Sequence, residues 1–325
     1  MSVSIRGVAP SLKKQNSASN PFYIRQKIKR DKFLYLLMVP GLLYFLLFRY
    51  LPLLGTLVAF KDVAPFDTAS TIITSEWVGL KHFKSFISSH YFWNIMRNTF
   101  ALAGLRMIFE FFCPVVLALL INEVRNKYLQ KAIQTISYMP YFLSNIVLAG
   151  LVFQLLTMNN GLIPAIVESL GGDPIYYLGD SRYFRTVLVT AIVWRNIGWG
   201  TIVYLAALSG IDPQLYEAAK IDGANRLKQT IYITLPSISF AIAIMFILRI
   251  SVILNQGWEE TLLLYNPGVY SVADIIDTYV WRMGLEQMRY SFATAVGFFK
   301  SILALVLVVL SNVIAKKSGQ QSMYK

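Results

Sequence analysis

The chain has 325 residues, 56% of them hydrophobic and only 14% charged, where a soluble domain carries about a quarter charged residues. That balance excludes an ordinary soluble domain and points to a polytopic membrane protein. The net charge of +13 does not signal nucleic acid, because the cations sit in short loops and tails beside apolar runs, the pattern that orients a membrane chain with its positive loops inside.

Residues 1–32 are polar and basic, carrying Arg6, Lys13, Lys14, Arg25, Lys27, Lys29, Arg30 and Lys32 among Ser, Asn and Pro. This composition predicts a largely disordered cytoplasmic tail. The apolar run Phe33 to Phe60 follows. It is too long for a signal-peptide core and lacks a small-residue cleavage site, so it is a first span, kinked at Pro40-Gly41 and Pro52. Residues 61–95 are a mixed outer loop whose Trp77, Phe83, Phe86, Tyr91, Phe92 and Trp93 fit an interface belt or short surface helices. A second span runs from about Asn98 to Ile121. Its Arg106 and Glu110 stand at i, i+4, and a self-neutralising structural pair is the favoured reading over a transport role.

A short basic cytoplasmic loop, 122–131, leads to a third span from about Ala132 to Met158, with Pro140 inside it. Turn signals at Asn159-Asn160-Gly161 and Gly171-Gly172-Asp173-Pro174 mark an outer loop. The fourth span covers about Thr186 to Leu208, the fifth about Ile238 to Asn255 and the sixth about Ser291 to Ala315, with 256–291 an outer segment and 316–325 a cytoplasmic tail. The expected architecture is all-α, with six transmembrane helices within residues 33–315 and both termini cytoplasmic. Cys113 is the single cysteine, and His82 and His90 are the two histidines. No disulfide framework or metal cluster is expected from them.

Between the fourth and fifth spans lies a polar island, residues 212–236, reading DPQLYEAAKIDGANRLKQTIYITLP. Asp212-Pro213 starts a helix, with a capping acceptor followed by a proline whose missing N–H costs nothing in the first turn. Gly223 ends it at a tight reversal, and a second short helix is predicted from Asn225 to Ile233, ending before Pro236. Glu217-Ala218-Ala219, Asp222-Gly223-Ala224, Ile233 and Leu235-Pro236 stand in the order and spacing of the EAA loop, so the stretch resembles that of binding-protein-dependent ABC importer permeases. The resemblance implies the type I permease fold. It also implies that Tyr216, Glu217, Ala218, Ala219, Asp222, Gly223 and Ala224 form a coupling helix seated in a groove of a separate, dimeric ATPase. That ATPase would hold ATP and magnesium, leaving this chain without a cofactor. The other implied partners are a second, homologous permease subunit, an extracytoplasmic solute-binding protein, a saccharide and the lipid of a bacterial inner membrane.

In the fourth span Ile192, Arg195, Asn196 and Trp199 share one helical face at i, i+3, i+4 and i+7; in the fifth, Arg249, Ile253 and Gln256 do. An arginine within a span costs roughly 2.5–3.5 kcal/mol on insertion scales, so it should face a wet cavity or an acidic partner. The same seven positions are where the maltose-type permeases, which this chain resembles, place sugar-contacting residues. The chain differs from that pattern in having arginines at two of them. Guanidinium forks pair with carboxylates, and an indole face stacks on a sugar's C–H surface. A saccharide carrying uronates is therefore the expected solute, with structural pairing of each arginine as the competing reading; Lys300 is a further cation in the sixth span.

Past Gln256, Leu263-Leu264-Tyr265-Asn266-Pro267, the run Ala273 to Val280, Gly284-Leu285 and Tyr290 to Ala295 resemble the permease branch that imports larger oligosaccharides, including aldouronate- and alginate-type systems. Here Asp274 and Asp277 fit helix caps, and Glu259-Glu260 a solvated acidic patch. No G-x-x-x-x-G-K-[ST] loop, Ser/His/Asp set or H-E-x-x-H occurs, so no enzyme chemistry is expected. The alternative class is an ion-coupled secondary transporter of a small solute. It would need intramembrane acids for coupling, and Glu110 is the obvious one.

Overall fold

The computed structural model describes residues 30–254 and 257–317. Most of the basic tail, together with Gln256 and the C-terminal tail beyond 317, lies outside the described residues. The described residues are helical and irregular, with one isolated bridge between Lys61 and Trp77 and no strand among them. The chain divides into two compact units between Leu57 and Val58.

In the first unit, α1 (Lys32–Phe45) runs through Pro40 without interruption, and none of its side chains is buried. A π turn, Leu46–Tyr50, then precedes a short helix, Leu51–Leu54, that contains Pro52. The Leu51 amide reaches back five residues to the Leu46 carbonyl. A wider turn draws the preceding carbonyls away from a pyrrolidine ring that would otherwise collide with one of them.

In the second unit, α2 (Ala69–Thr74) and α3 (Lys81–Ile87) lead into α4 (Phe92–Asn122). Next come α5 (Lys127–Tyr138), α6 (Asn145–Leu156), α7 (Leu162–Ser169) and α8 (Phe184–Ser209). The polar loop carries α9 (Pro213–Ile221) and α10 (Arg226–Gln229). The remainder is α11 (Ser239–Val252), α12 (Trp258–Leu264), α13 (Ile276–Trp281) and α14 (Tyr290–Lys317). Among the described residues of both units, four stretches are long and apolar enough to cross a membrane: Lys32–Phe60, Phe92–Asn122, Phe184–Ser209 and Tyr290–Leu310.

The third and fifth expected spans are broken rather than straight. Lys127–Phe142 and Asn145–Leu156 meet at 103°, and Arg226–Ser237 and Ser239–Ile250 at 62°. Counting each pair as one span brings the total to six. The first break follows from local chemistry: Pro140 sits in a 3₁₀ turn, and the Ser144 hydroxyl accepts from the Val147 amide at 3.3 Å, starting a new helix. At the second, Pro236 does not end the helix as its sequence context predicts. A π turn, Thr230–Thr234, absorbs it as the earlier one absorbs Pro52, and the helical path continues to Ser237.

The helices α4 and α8 form the main packed pair. Close approach is made possible by small residues: Gly198 of α8 lies against the Ser137 backbone at the end of α5, and Gly200 against the Pro114 ring of α4. Phe86 and Phe92, expected in a surface belt, instead pack with Ile95, Tyr279, Phe292 and Val296 in a buried cluster, while Trp77 and Trp93 are exposed. Asp274 and Asp277 do more than cap helices. Asp274 is buried and binds Arg282 at 2.5 and 3.1 Å, and Asp277 binds Lys300 Nζ at 2.6 and 2.8 Å. Although burial pulls the Arg282 guanidinium down, the hydrogen bond and charge of Asp274 hold it above its usual range. Lys300 is thereby accounted for as one half of a partly buried ion pair.

Candidate functional site

A cavity of about 460 Å³ opens among α4, the α5–α6 break, α8, α11 and the start of α12. Of the seven positions singled out on the fourth and fifth spans, Arg195, Asn196, Trp199 and Arg249 line it. Ile192 does not: it is fully buried in the core with Leu188 and Ala191. It shares a helical face with Arg195 but lies about 4.5 Å further along the axis, at 1.5 Å per residue, where the packing closes. Ile253 is half-buried and does not line the cavity.

Both arginines meet acids. Arg195 Nη2 donates to Glu260 Oε1 at 2.5 Å, with both side chains largely buried. Its Nη1 donates to Asn145 Oδ1, and Asn145 Nδ2 donates to Glu259 Oε2. Glu259-Glu260 is therefore not a solvated patch. Only Glu259 is exposed, and the α12 turn aims Glu260 into the cavity. On the other wall Arg106 Nε donates to Glu110 Oε1 at 2.6 Å, and Arg249 closes an ion pair with Oε2 of the same carboxylate. Arg106 and Glu110 form the pair their spacing predicts, and they also line the cavity. Gly257 sits at φ 80° with its Cα against the Arg106 guanidinium, where a side chain would not fit. The Trp199 and Tyr141 rings stack at 4.6 Å with an interplanar angle of 5°.

Asn145, Tyr141, Glu259 and Glu260 escaped the sequence reading. One signal pointed to an acid: a buried arginine in a span demands one. Nothing local identified which acid, since Glu260 is 65 residues from Arg195.

Residues 114–320 match the binding-protein-dependent transport system inner membrane component family. This chain belongs to that family. The permease is 46% identical over 297 residues to protein LplB of Bacillus subtilis (strain 168), covering 91% of this chain and 92% of that one. It is 45% identical over 298 residues to the polygalacturonan/rhamnogalacturonan transport system permease protein YteP of the same organism, covering 92% of each. Among solved structures it is similar to a chain of a bacterial ABC transporter involved in the import of the acidic polysaccharide alginate. The TM-score there is 0.84 at 38% identity, covering 93% of this chain and 100% of that one. The permease is thus a non-catalytic, multi-pass membrane subunit of an ABC sugar importer, and the ion-coupled alternative falls away.

The permease's polar loop is built by local signals. Asp212 accepts from the Gln214 amide at 2.9 Å with Pro213 in the first turn, starting α9. At its other end Gly223 takes φ 74°, the Ala224 amide reaches the Ala219 carbonyl at 2.8 Å, and the Gly223 amide the Lys220 carbonyl at 3.1 Å. That pair of bonds is a Schellman cap. Tyr216 Oη meets Thr234 Oγ1 at 2.9 Å, tying α9 to the helix that returns. Glu217, Ala218 and Asp222 are exposed, as are Leu215, Ile221, Leu227 and Tyr232, so the loop presents acidic and apolar groups together on its surface.

Proposed function

We propose that this permease carries an oligosaccharide bearing uronate carboxylates through the cavity between α4, α8, α11 and α12. The observation that carries the reading is the convergence of Arg106, Arg195 and Arg249 with the Trp199–Tyr141 stack around one cavity. Guanidinium forks suit carboxylates and an aromatic face suits a pyranose ring. The relatives lend support, since two of them are named for polygalacturonan/rhamnogalacturonan transport and for alginate import.

In this reading six spans cross the inner membrane within residues 33–315, with both termini and the 212–236 loop in the cytoplasm. The chain pairs with a homologous permease to enclose the path, because mid-span arginines need a second protein surface to keep the path away from lipid. A solute-binding protein delivers cargo outside. The exposed face of α9 seats in a dimeric ATPase that binds ATP and magnesium. Glu217 makes the charged contact, and Gly223 sets the bend through which the ATPase stroke reaches the spans.

The test is ATP hydrolysis by the reconstituted importer across neutral and acidic oligosaccharides of matched length. Stimulation by uronate oligomers is expected. Stimulation by neutral oligomers alone overturns the assignment of an acidic cargo.

A further inference from the structure

The cavity's fixed charges cancel: Arg106, Arg195 and Arg249 stand against Glu110, Glu259 and Glu260. A neutral chamber does not by itself attract a polyanion. The two walls differ, however. Glu110 shares its helix, α4, with Arg106 and holds two guanidiniums at once. Glu259 and Glu260 instead arrive on α12, a helix of seven residues entered through Gly257 at φ 80°. This helix packs on α6 and α8, and its two acids reach Asn145 and Arg195 through side-chain contacts. Glu260 therefore presents to Arg195 the same group, a carboxylate, that a uronate would present, and it does so from a separate element.

We infer that Glu260, steadied by the Glu259–Asn145 contact, is an internal stand-in for the cargo's carboxylate and sets the charge preference of the path. The inference rests on the cavity being the solute path. With no cargo, Glu260 neutralises Arg195, whose lone burial would be costly. A uronate entering beside the Trp199–Tyr141 stack competes for the same Nη donors and displaces Glu260 toward the wet interior. A neutral sugar offers no anion in exchange, so it leaves the pair closed. Affinity for acids is thus held down by an internal competitor, while a neutral sugar neither displaces that competitor nor gains from its removal.

The experiment uses the complete importer in proteoliposomes. It measures kcat/KM of solute-stimulated ATP hydrolysis for galacturonate oligomers and for their carboxyl-reduced, neutral counterparts. The same binding protein serves every variant, so its own preference cancels when variant and wild-type ratios are compared. Glu260→Gln is expected to raise the acidic-to-neutral ratio by about tenfold, equivalent to ~1.4 kcal/mol. Glu260→Asp, which keeps the competing anion, is expected to stay near the wild-type ratio. An unchanged ratio in Glu260→Gln, or an equal rise in Glu260→Asp, overturns the role of Glu260 while leaving the solute path standing. If Glu260→Gln fails to assemble, Glu259→Gln decides: a smaller rise in the same direction supports the inference, and no rise overturns it. A wild-type importer that responds to neither oligomer overturns both the path and the inference.

Discussion

Arg249 and Arg106 close on opposite oxygens of Glu110, so one buried carboxylate joins α4 to α11 and pairs with two cations at once. Replacing Glu110 by Gln removes the anion from between them. Loss of one member of a buried charge cluster costs about 3–5 kcal/mol. The detergent-solubilised importer is expected to melt at a clearly lower temperature. Unchanged melting would show that the cluster adds nothing to stability.

The two kinds of cavity group should separate by cargo. Arg195→Ala is expected to weaken uptake of uronate oligosaccharides by about 2–5 kcal/mol, as for truncation of a desolvated charge partner, and to spare neutral ones. Trp199→Leu should weaken both by about 0.5–1.5 kcal/mol, because stacking does not read charge. Concentration dependence of uptake in whole cells measures each. Unchanged affinity for every solute after Arg195→Ala would remove the arginine from the path.

Gly223 has open space around its missing Cβ, so any penalty there comes from its φ of 74° rather than from crowding. Valine resists that region more strongly than asparagine does. Gly223→Val is expected to abolish most transport while the protein remains in the membrane, and Gly223→Asn to retain much of it. Uptake beside membrane immunoblotting distinguishes the two. Full transport in the valine variant would deny the bend any mechanical part.

At Gly198 the constraint is the reverse: a side chain would strike the Ser137 backbone. Gly198→Val must push α8 away from the end of α5, an overpacking cost of about 1–3 kcal/mol or more. Reduced thermal stability of the purified importer is the expected result.

How much was legible followed the range of the interaction. Asp212, Pro213 and Gly223 act on neighbours a few positions away, and the helix they delimit could be read directly. So could the Arg106–Glu110 pair, one helical turn apart. The bends at 103° and 62° could not, because apolar composition looks the same in a straight span and a broken one. Pro236 misled for a related reason: a π turn upstream lets a helix run past a proline, and no residue pattern announced it. The choice of Glu260 for Arg195 depended on α12 folding back into the cavity, and the adjacency of Glu259 and Glu260 disguised their opposite exposures.

The balanced wall charge of the cavity also bears on the work the importer must do against voltage. With Arg106, Arg195 and Arg249 offset by Glu110, Glu259 and Glu260, the proposed path carries little net charge of its own. A uronate oligomer carried along it would bring net negative charge, and each unit moved inward against an interior-negative membrane costs about 2.3 kcal/mol per 100 mV. On the proposed reading of an acidic cargo, each further uronate raises the electrical load on a cycle of ATP hydrolysis, so import should slow with membrane potential more steeply as the chains lengthen.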